Sequence, residues 1–262
     1  MLRYLRIYLA FVRNCAVREM EFRTDLVLFS VSNVLTSALL VLMMAFLFAR
    51  TREIAGWTAE RVVLVTGTQI IVTAMLDFLF FKNMSMLSRY VNRGELDMVL
   101  VKPLNSQFLV SLRYVDFSQL PSMVVGAAYV IGAVQRAGIA VTPLSIALYL
   151  ALLGIAVVMF YSLWFLTVTL VLYVGRINNI QYLIYPVIEQ ARLPTDVFRG
   201  PLRLAFSFIL PIAFVATVPA KALSGLLEPG TLLYGLAFAA ATLGLSVWFW
   251  NFSLKQYSGA SA

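Results

Sequence analysis

Polar and apolar positions along the chain fall into long blocks. Twenty or more mostly apolar residues run through 26–49, 62–81, 107–134, 145–174 and 231–250. A helix needs about 20 apolar residues to cross the ~30 Å hydrocarbon core of a bilayer, so each block predicts a membrane-spanning helix. The polar links at 50–60 and 135–143 are short. The stretch 82–106 is longer and hydrophilic, with Lys82, Arg89, Arg93, Glu95, Asp97 and Lys102, and is punctuated by Gly94 and Pro103.

Between 174 and 231 the pattern is harder to parse. Two apolar blocks, 180–198 and 204–224, are interrupted by Pro186, Pro194, Pro201, Pro211 and Pro219. Proline removes a backbone donor and kinks or ends a helix, and broken backbone is tolerated in a membrane only where protein or water covers it. If both blocks cross, there are seven spans and the termini lie on opposite sides. If one crosses and the other dips and returns, there are six and the termini share a side. Charge bias favours the second block as the crossing one, because Arg192, Arg199 and Arg203 then stay inside.

Residues 1–24 carry a helical pattern of another kind. Leu2, Leu5, Leu9, Val12, Ala16 and Met20 form a stripe, with Arg3, Arg6, Arg13 and Asn14 on an adjoining arc. A wide apolar arc with a basic edge predicts a helix lying in the membrane interface; a cytoplasmic extension of the first span is the alternative. Arginines at 3, 6, 13, 18 and 23 are spread through the segment and do not lead an apolar core, so no cleavable secretory signal is expected. The same arginines put residue 1 in the cytoplasm. The 82–106 loop, two crossings later, is expected on that side too.

Composition agrees with this outline. The chain is 61% hydrophobic and 12% charged, against about 45–50% and about 25% in soluble domains. The net charge of +8 fits the lysine and arginine that cytoplasmic loops collect. No basic-aromatic stretch stands apart from the apolar blocks, so nucleic acid is not an expected partner.

The chemistry is sparse. There is no histidine, and Cys15 is the single cysteine, which excludes His-based triads, His metal ligands, CxxC motifs and an intrachain disulfide. Neither GxxxxGK[ST] nor GxGxxG occurs, so the chain carries no recognised nucleotide site. Ionisable residues within the apolar blocks are costly and often functional. They are Asp77, Arg113, Asp116, Glu189 and Arg192. Arg113 and Asp116, like Glu189 and Arg192, are spaced i, i+3 and can neutralise each other on one helix face; alternatively Glu189 and Arg192 line a translocation path. Gly67, Ser122, Gly126 and Gly132 permit close helix packing.

Three stretches carry a family resemblance: LRYLRIYLAFVRNCAVREMEFR at 2–23, RGELDMVLVKPLNSQF at 93–108, and LPTDVFRGPLRLAFSFILPIAFVATVPAKAL at 193–223. In these the chain resembles the permease subunits of ABC-2 type ABC exporters, above all the bacterial six-helix subunits of similar length. The resemblance implies an all-α polytopic fold occupying 1–262 as a single permease domain. It has six spans, both termini cytoplasmic, in the bacterial plasma (inner) membrane. Residues 1–24 become an interfacial helix, 83–103 a cytoplasmic coupling region, 178–198 the fifth span, and 199–224 a re-entrant extracellular segment.

The resemblance also implies partners: ABC ATPase subunits, a second permease (identical or related), and membrane lipid. ATP and Mg are then bound by the partner ATPase, with no cofactor or metal in this chain. Arg89, Arg93, Glu95, Asp97 and Lys102 supply the mixed charge suited to the rim of an ATPase interface. The chain itself is expected to be non-catalytic. Its cargo is expected to be hydrophobic or amphipathic: a lipid, drug or lipid-linked glycan. An ion-driven secondary transporter and an integral membrane lipid-modifying enzyme are the competing readings. The first calls for inverted repeats and acids at mid-membrane, the second for a clustered nucleophile, base or metal site.

Overall fold

The computed structural model describes residues 2–21, 23–49, 53–54, 56–174, 179–198, 200–201, 206 and 211–257. Helix α1 (Leu2–Glu21) leads into α2 (Arg23–Phe48). A two-residue hairpin, β1 (Glu53–Ile54) with β2 (Trp57–Thr58), precedes α3 (Ala59–Leu76). A π turn at Asp77–Phe81 joins α3 to α4 (Lys82–Asn92), and α5 (Leu96–Leu100) and α6 (Ser106–Leu112) follow. Next come α7 (Leu120–Arg136), α8 (Pro143–Thr169), α9 (Val171–Val174) and α10 (Tyr185–Glu189). The last two are α11 (Thr217–Leu223) and α12 (Thr231–Gln256).

Among the described residues, five helical stretches are long and apolar enough to cross a membrane: Arg23–Phe48, Ala59–Asn92, Phe117–Arg136, Pro143–Val174 and Thr231–Gln256. The chain is an all-α polytopic membrane protein. Three of the five, Arg23–Phe48, Pro143–Val174 and Thr231–Gln256, coincide with blocks expected from the pattern. The second runs on well past residue 81: α3, the π turn and α4 form one 34-residue helix. At 1.5 Å per residue that is about 51 Å, some 20 Å more than the hydrocarbon core.

The third span departs from the expectation. The block at 107–134 is not one helix: α6 ends at Leu112, the chain breaks, and the crossing helix begins near Phe117. Asn83 holds the break open by accepting from the Tyr114 N–H at 2.9 Å and donating to its carbonyl at 2.7 Å. The Asp116 N–H donates to the carbonyl of Phe78, inside the π turn, at 2.9 Å. Arg113 and Asp116 do not form the anticipated pair. Asp116 meets Lys82 at 3.2 Å, while Arg113 lies over the Tyr114 ring and donates to the Tyr90 hydroxyl.

Helix α3 is the centre of the bundle, with Val62, Leu64, Val65, Val72 and Leu76 fully buried. It crosses α7 at Gly67 and Gly126. Helix α8 packs along α12, where Phe165 meets Trp250 with ring centroids 5.2 Å apart.

The contacts sort the chain into two ends. At one end, α1 lies along residues 103–117: Tyr4 packs edge-on to Phe108, the Cys15 thiol reaches the Arg113 carbonyl, and Glu19 pairs with Lys82. The C-terminal part of α12 is at this end too, with Trp250 donating to Ser106. At the opposite end stands Trp57.

Residues 180–197 link these ends in broken form. Short 3-10 turns at Ile180–Ile184, Gln190–Arg192 and Thr195–Val197 flank α10, whose first turn holds Pro186. Tyr182 lies 5.9 Å from Phe81 and Tyr185 donates to Asp77. Further on, the Arg192 carbonyl accepts from Thr66 and Asp196 accepts from Trp57. The segment thus runs antiparallel to the long helix, from Phe81 to Thr66 over 15 residues or about 22 Å, and on to Trp57 beyond the start of α3. Asp196 also pairs with Lys221 at 3.0 Å, and the Thr195 N–H donates to Thr217. Both flanks of 199–216 therefore sit at the Trp57 end. Of the expected re-entrant segment, residues 199, 202–205 and 207–210 lie outside the described residues, while 211–220 are buried against the bundle.

Candidate functional site

Polar residues in an apolar helix gather where they can share water or one another. Gln69, Thr73 and Asp77 recur every four residues along one face of α3, and Asn33 and Ser37 do so on α2. The two faces meet beside α7 and residues 182–192, and two adjoining cavities open there. The one nearer Trp57, about 350 Å³, is lined by Asn33, Ser37, Gln69, Thr73, Asp77 and Arg192. The other, about 560 Å³, lies towards α1. Asp77 and Asn33 line it as well, together with Phe29, Phe81, Tyr182 and Tyr185. Asp77 therefore stands between the two.

Arg18, Glu19, Asp25, Lys82 and Asp116 complete the wall of the larger cavity. Lys82 is gripped by Glu19 at 2.7 Å and Asp116 at 3.2 Å. Glu19 also accepts from the Phe117 N–H, and Asp116 accepts from the Ser118 N–H and hydroxyl. Shared hydrogen bonds of this kind offset the desolvation of a half-buried ion cluster. The cluster ties α1 to the start of α4 and to the turn that leads into α7.

The pair suggested as pathway residues forms: Arg192 meets Glu189 at 2.9 Å. Only Arg192 of the two lines the cavity, and its Nε is buried without a hydrogen-bond partner. Gln69 Oε1 is likewise buried and unpartnered, while the Gln69 amide donates to Thr73 at 3.0 Å. Gln69, Thr73, Asn33 and Tyr185 were not among the residues singled out in the sequence. The every-fourth-residue spacing that leads back from Asp77 to Thr73 and Gln69 is a signal that could have marked two of these positions.

The proposed coupling residues cluster about a hairpin at the end of the long helix. Helix α4 ends at Asn92, Gly94 turns the chain with φ +68°, and α5 folds back. Arg89, Arg93 and Lys102 are exposed, and Glu95 and Asp97 partly so. Arg93 and Glu95 approach to 4.0 Å, in a geometry that contributes little when solvated. Asp97 lies beside Tyr257, whose phenol is pushed up by burial first and then by this carboxylate.

Two apolar residues accompany these charges. Met98 is 73% exposed and Val101 85% exposed, while Leu96 and Val99, three residues apart on the other face of the hairpin, are buried. Hydrophobic content alone does not distinguish the outward pair from the inward one, so both escaped the sequence reading. Among the described residues, no three His, Cys, Asp or Glu side chains are grouped to hold a metal ion.

The hairpin, the long helix and the membrane cavities are features of one bundle, and the comparison with known families spans it. A family model described as ABC-2 family transporter protein matches residues 34–261. No curated protein matches the sequence. With nearly all of its length covered by that model, the chain belongs to the ABC-2 family of transporter proteins.

Proposed function

We propose that this chain is the permease subunit of an ATP-driven ABC exporter, and that it forms half of a translocation pathway for a hydrophobic or amphipathic substrate (lipid, drug or lipid-linked glycan). The observation that carries the reading is the hairpin. A helix too long for the membrane ends in a turn presenting Met98 and Val101 among Arg89, Arg93, Glu95, Asp97 and Lys102. Apolar anchors inside a charged rim are the anatomy of a protein interface. ATP and Mg are bound by the partner ATPase, and this chain contributes no catalysis.

The contacts at Trp57 support six crossings. Asp196 and Lys221 meet there, so the chain between them makes no net crossing, and 178–198 is the fifth span. This favours the resemblance over the charge bias. The arginine that argued against it, Arg192, is balanced by Glu189. Residues 199–224 then dip and return on the extracellular side, and both termini are cytoplasmic in the bacterial inner membrane. Helix α1 supports its own assignment as an interfacial helix. Tyr4, Phe11, Cys15 and Glu19 face the protein, leaving Leu2, Leu5, Leu9 and Met20 exposed to meet lipid. A second permease completes the pathway, and the whole of 1–262 acts as one permease domain.

Co-expression with an ABC ATPase encoded beside the chain tests the reading. Co-purification of the two and ATP-dependent substrate movement in liposomes are the expected results. Sustained transport by this chain alone, without ATP, would overturn it.

A further inference from the structure

The larger cavity has a chemical bias that the permease reading leaves unused. Phe81, Tyr182 and Tyr185 surround one corner of it, with ring centroids 5.9 Å apart for Phe81–Tyr182 and 6.0 Å for each of the other two pairs. Asp77 enters the same corner, held by the Tyr185 hydroxyl. Four carboxylates (Glu19, Asp25, Asp77, Asp116) and two cations (Arg18, Lys82) line the cavity. Lys82 is taken by Glu19 and Asp116. Among the described residues, neither Asp77 nor Asp25 has an ion-pair partner. In the adjoining cavity the buried Gln69 Oε1, 5% exposed as a residue, accepts no hydrogen bond. Arg192, which lines that second cavity, is already balanced by Glu189.

Building on the permease reading, we propose that the larger cavity is the loading site for an amphiphile with an organic-cation head, a quaternary or protonated amine. Aromatic faces attract such a head through their quadrupoles, most strongly when water is excluded. An intramembrane carboxylate without a counter-charge is costly, and the bound ammonium supplies one for Asp77. The next unpartnered acceptor along the helix, Gln69 Oε1, lies two turns or about 12 Å onward, in the adjoining cavity. The cavity's volume, about 560 Å³, suits a single small amphiphile. Its apolar wall is Leu26 and Phe29 of α2, and Phe29 is otherwise exposed, which leaves a surface for the tail. An anionic head would meet two unpaired acids against one cation without an ion pair among the described residues, Arg18, which lies over the Tyr114 ring, and is disfavoured.

The test is ethidium binding to the detergent-solubilised full chain, followed by fluorescence anisotropy. Tetradecyltrimethylammonium, a lysophosphatidylcholine and tetradecyl sulfate serve as competitors. The expected result is saturable binding displaced by tetradecyltrimethylammonium and not by the sulfate. Displacement by the lysophosphatidylcholine as well identifies a lipid head as the source of the cation, and its failure to displace identifies a non-lipid cation; either outcome upholds the site. Asp77→Asn weakens ethidium binding about tenfold or more, and Tyr182→Ala, on the exposed rim, about three- to tenfold. Tyr182→Ala removes no core side chain, so it stands if Asp77→Asn does not fold. Equal displacement by the sulfate, or wild-type affinity in Tyr182→Ala, would overturn the proposal. No ATPase is present in this assay, so its failure leaves the coupling reading intact, and failed co-purification leaves cation binding intact.

Discussion

Gly67 and Gly126 face each other where α3 crosses α7, so closely that a Cβ on Gly126 would stand 2.9 Å from the Gly67 carbonyl oxygen and 2.8 Å from Ile71. A Cβ on Gly67 would meet the Gly126 carbonyl at 3.0 Å. Backbone cannot yield as a flexible side chain does, so the crossing depends on both glycines.

Gly126→Ala is therefore expected to cost about 1–3 kcal/mol as an overpacking change, read as a lowered midpoint in thermal unfolding in detergent. Gly132→Ala is the control. It lies in the same helix with open space around its would-be Cβ, and should be neutral or stabilising by up to about 1 kcal/mol through helix propensity. Equal effects at the two positions would sink the close-crossing account.

Lys82→Met should destabilise more than Glu19→Gln. Removing the cation leaves Glu19 and Asp116 facing each other, whereas removing Glu19 leaves Lys82 with Asp116. The expected loss is about 1–3 kcal/mol, below the ~3–5 kcal/mol of a fully buried broken pair, because the Lys82 side chain is 31% exposed. Comparing unfolding midpoints of the two variants decides the order.

Met98→Asp with Val101→Asp should lower ATPase affinity at least about tenfold, in line with loss of central anchors. Reversing the rim, Arg93→Glu with Glu95→Arg, should reduce association or coupled hydrolysis by less, since exposed charges contribute little. Pull-down titration of the ATPase measures both. A larger effect from the rim than from the apolar pair would reassign the interface.

A cysteine at Gly200 in a Cys15→Ser background should react with an impermeant maleimide added outside intact cells. Labelling from the cytoplasm alone would make 204–224 the fifth span and reverse the reading of the Asp196–Lys221 contact.

The sequence was most informative where apolarity is continuous. The blocks at 26–49, 145–174 and 231–250 became spans because no proline or charge interrupts them. The block at 107–134 misled because apolarity does not say whether a residue meets lipid or protein. Leu109 and Val110 are buried in the bundle, in a helix that ends before the membrane crossing begins. In 178–198 the prolines revealed a broken backbone, but its direction became visible only through Thr66 on α3, Trp57 before it and Asp77 after it. Within the cavities, Asp77 stood out by its charge and Arg192 by its spacing from Glu189. Gln69 and Thr73 are uncharged and common enough in apolar helices to pass unnoticed, and Tyr185 belongs to a segment whose path only tertiary contacts define. Met98 and Val101 were invisible because exposure is a property of the folded hairpin.

The long helix from Ala59 to Asn92 keeps ordinary α geometry except over Asp77–Phe81. There the hydrogen-bond ladder is out of step, which makes that turn the compliant joint of an otherwise stiff rod. From the joint to the tip of α4 is about 16 Å, so a bend of about 10° displaces the tip by roughly 3 Å. The joint carries Asp77 and Phe81, two walls of the larger cavity. Under the proposed coupling, leverage applied at Met98 would reach the cavity wall itself, and the same rod would carry a change in cavity occupancy back to the tip.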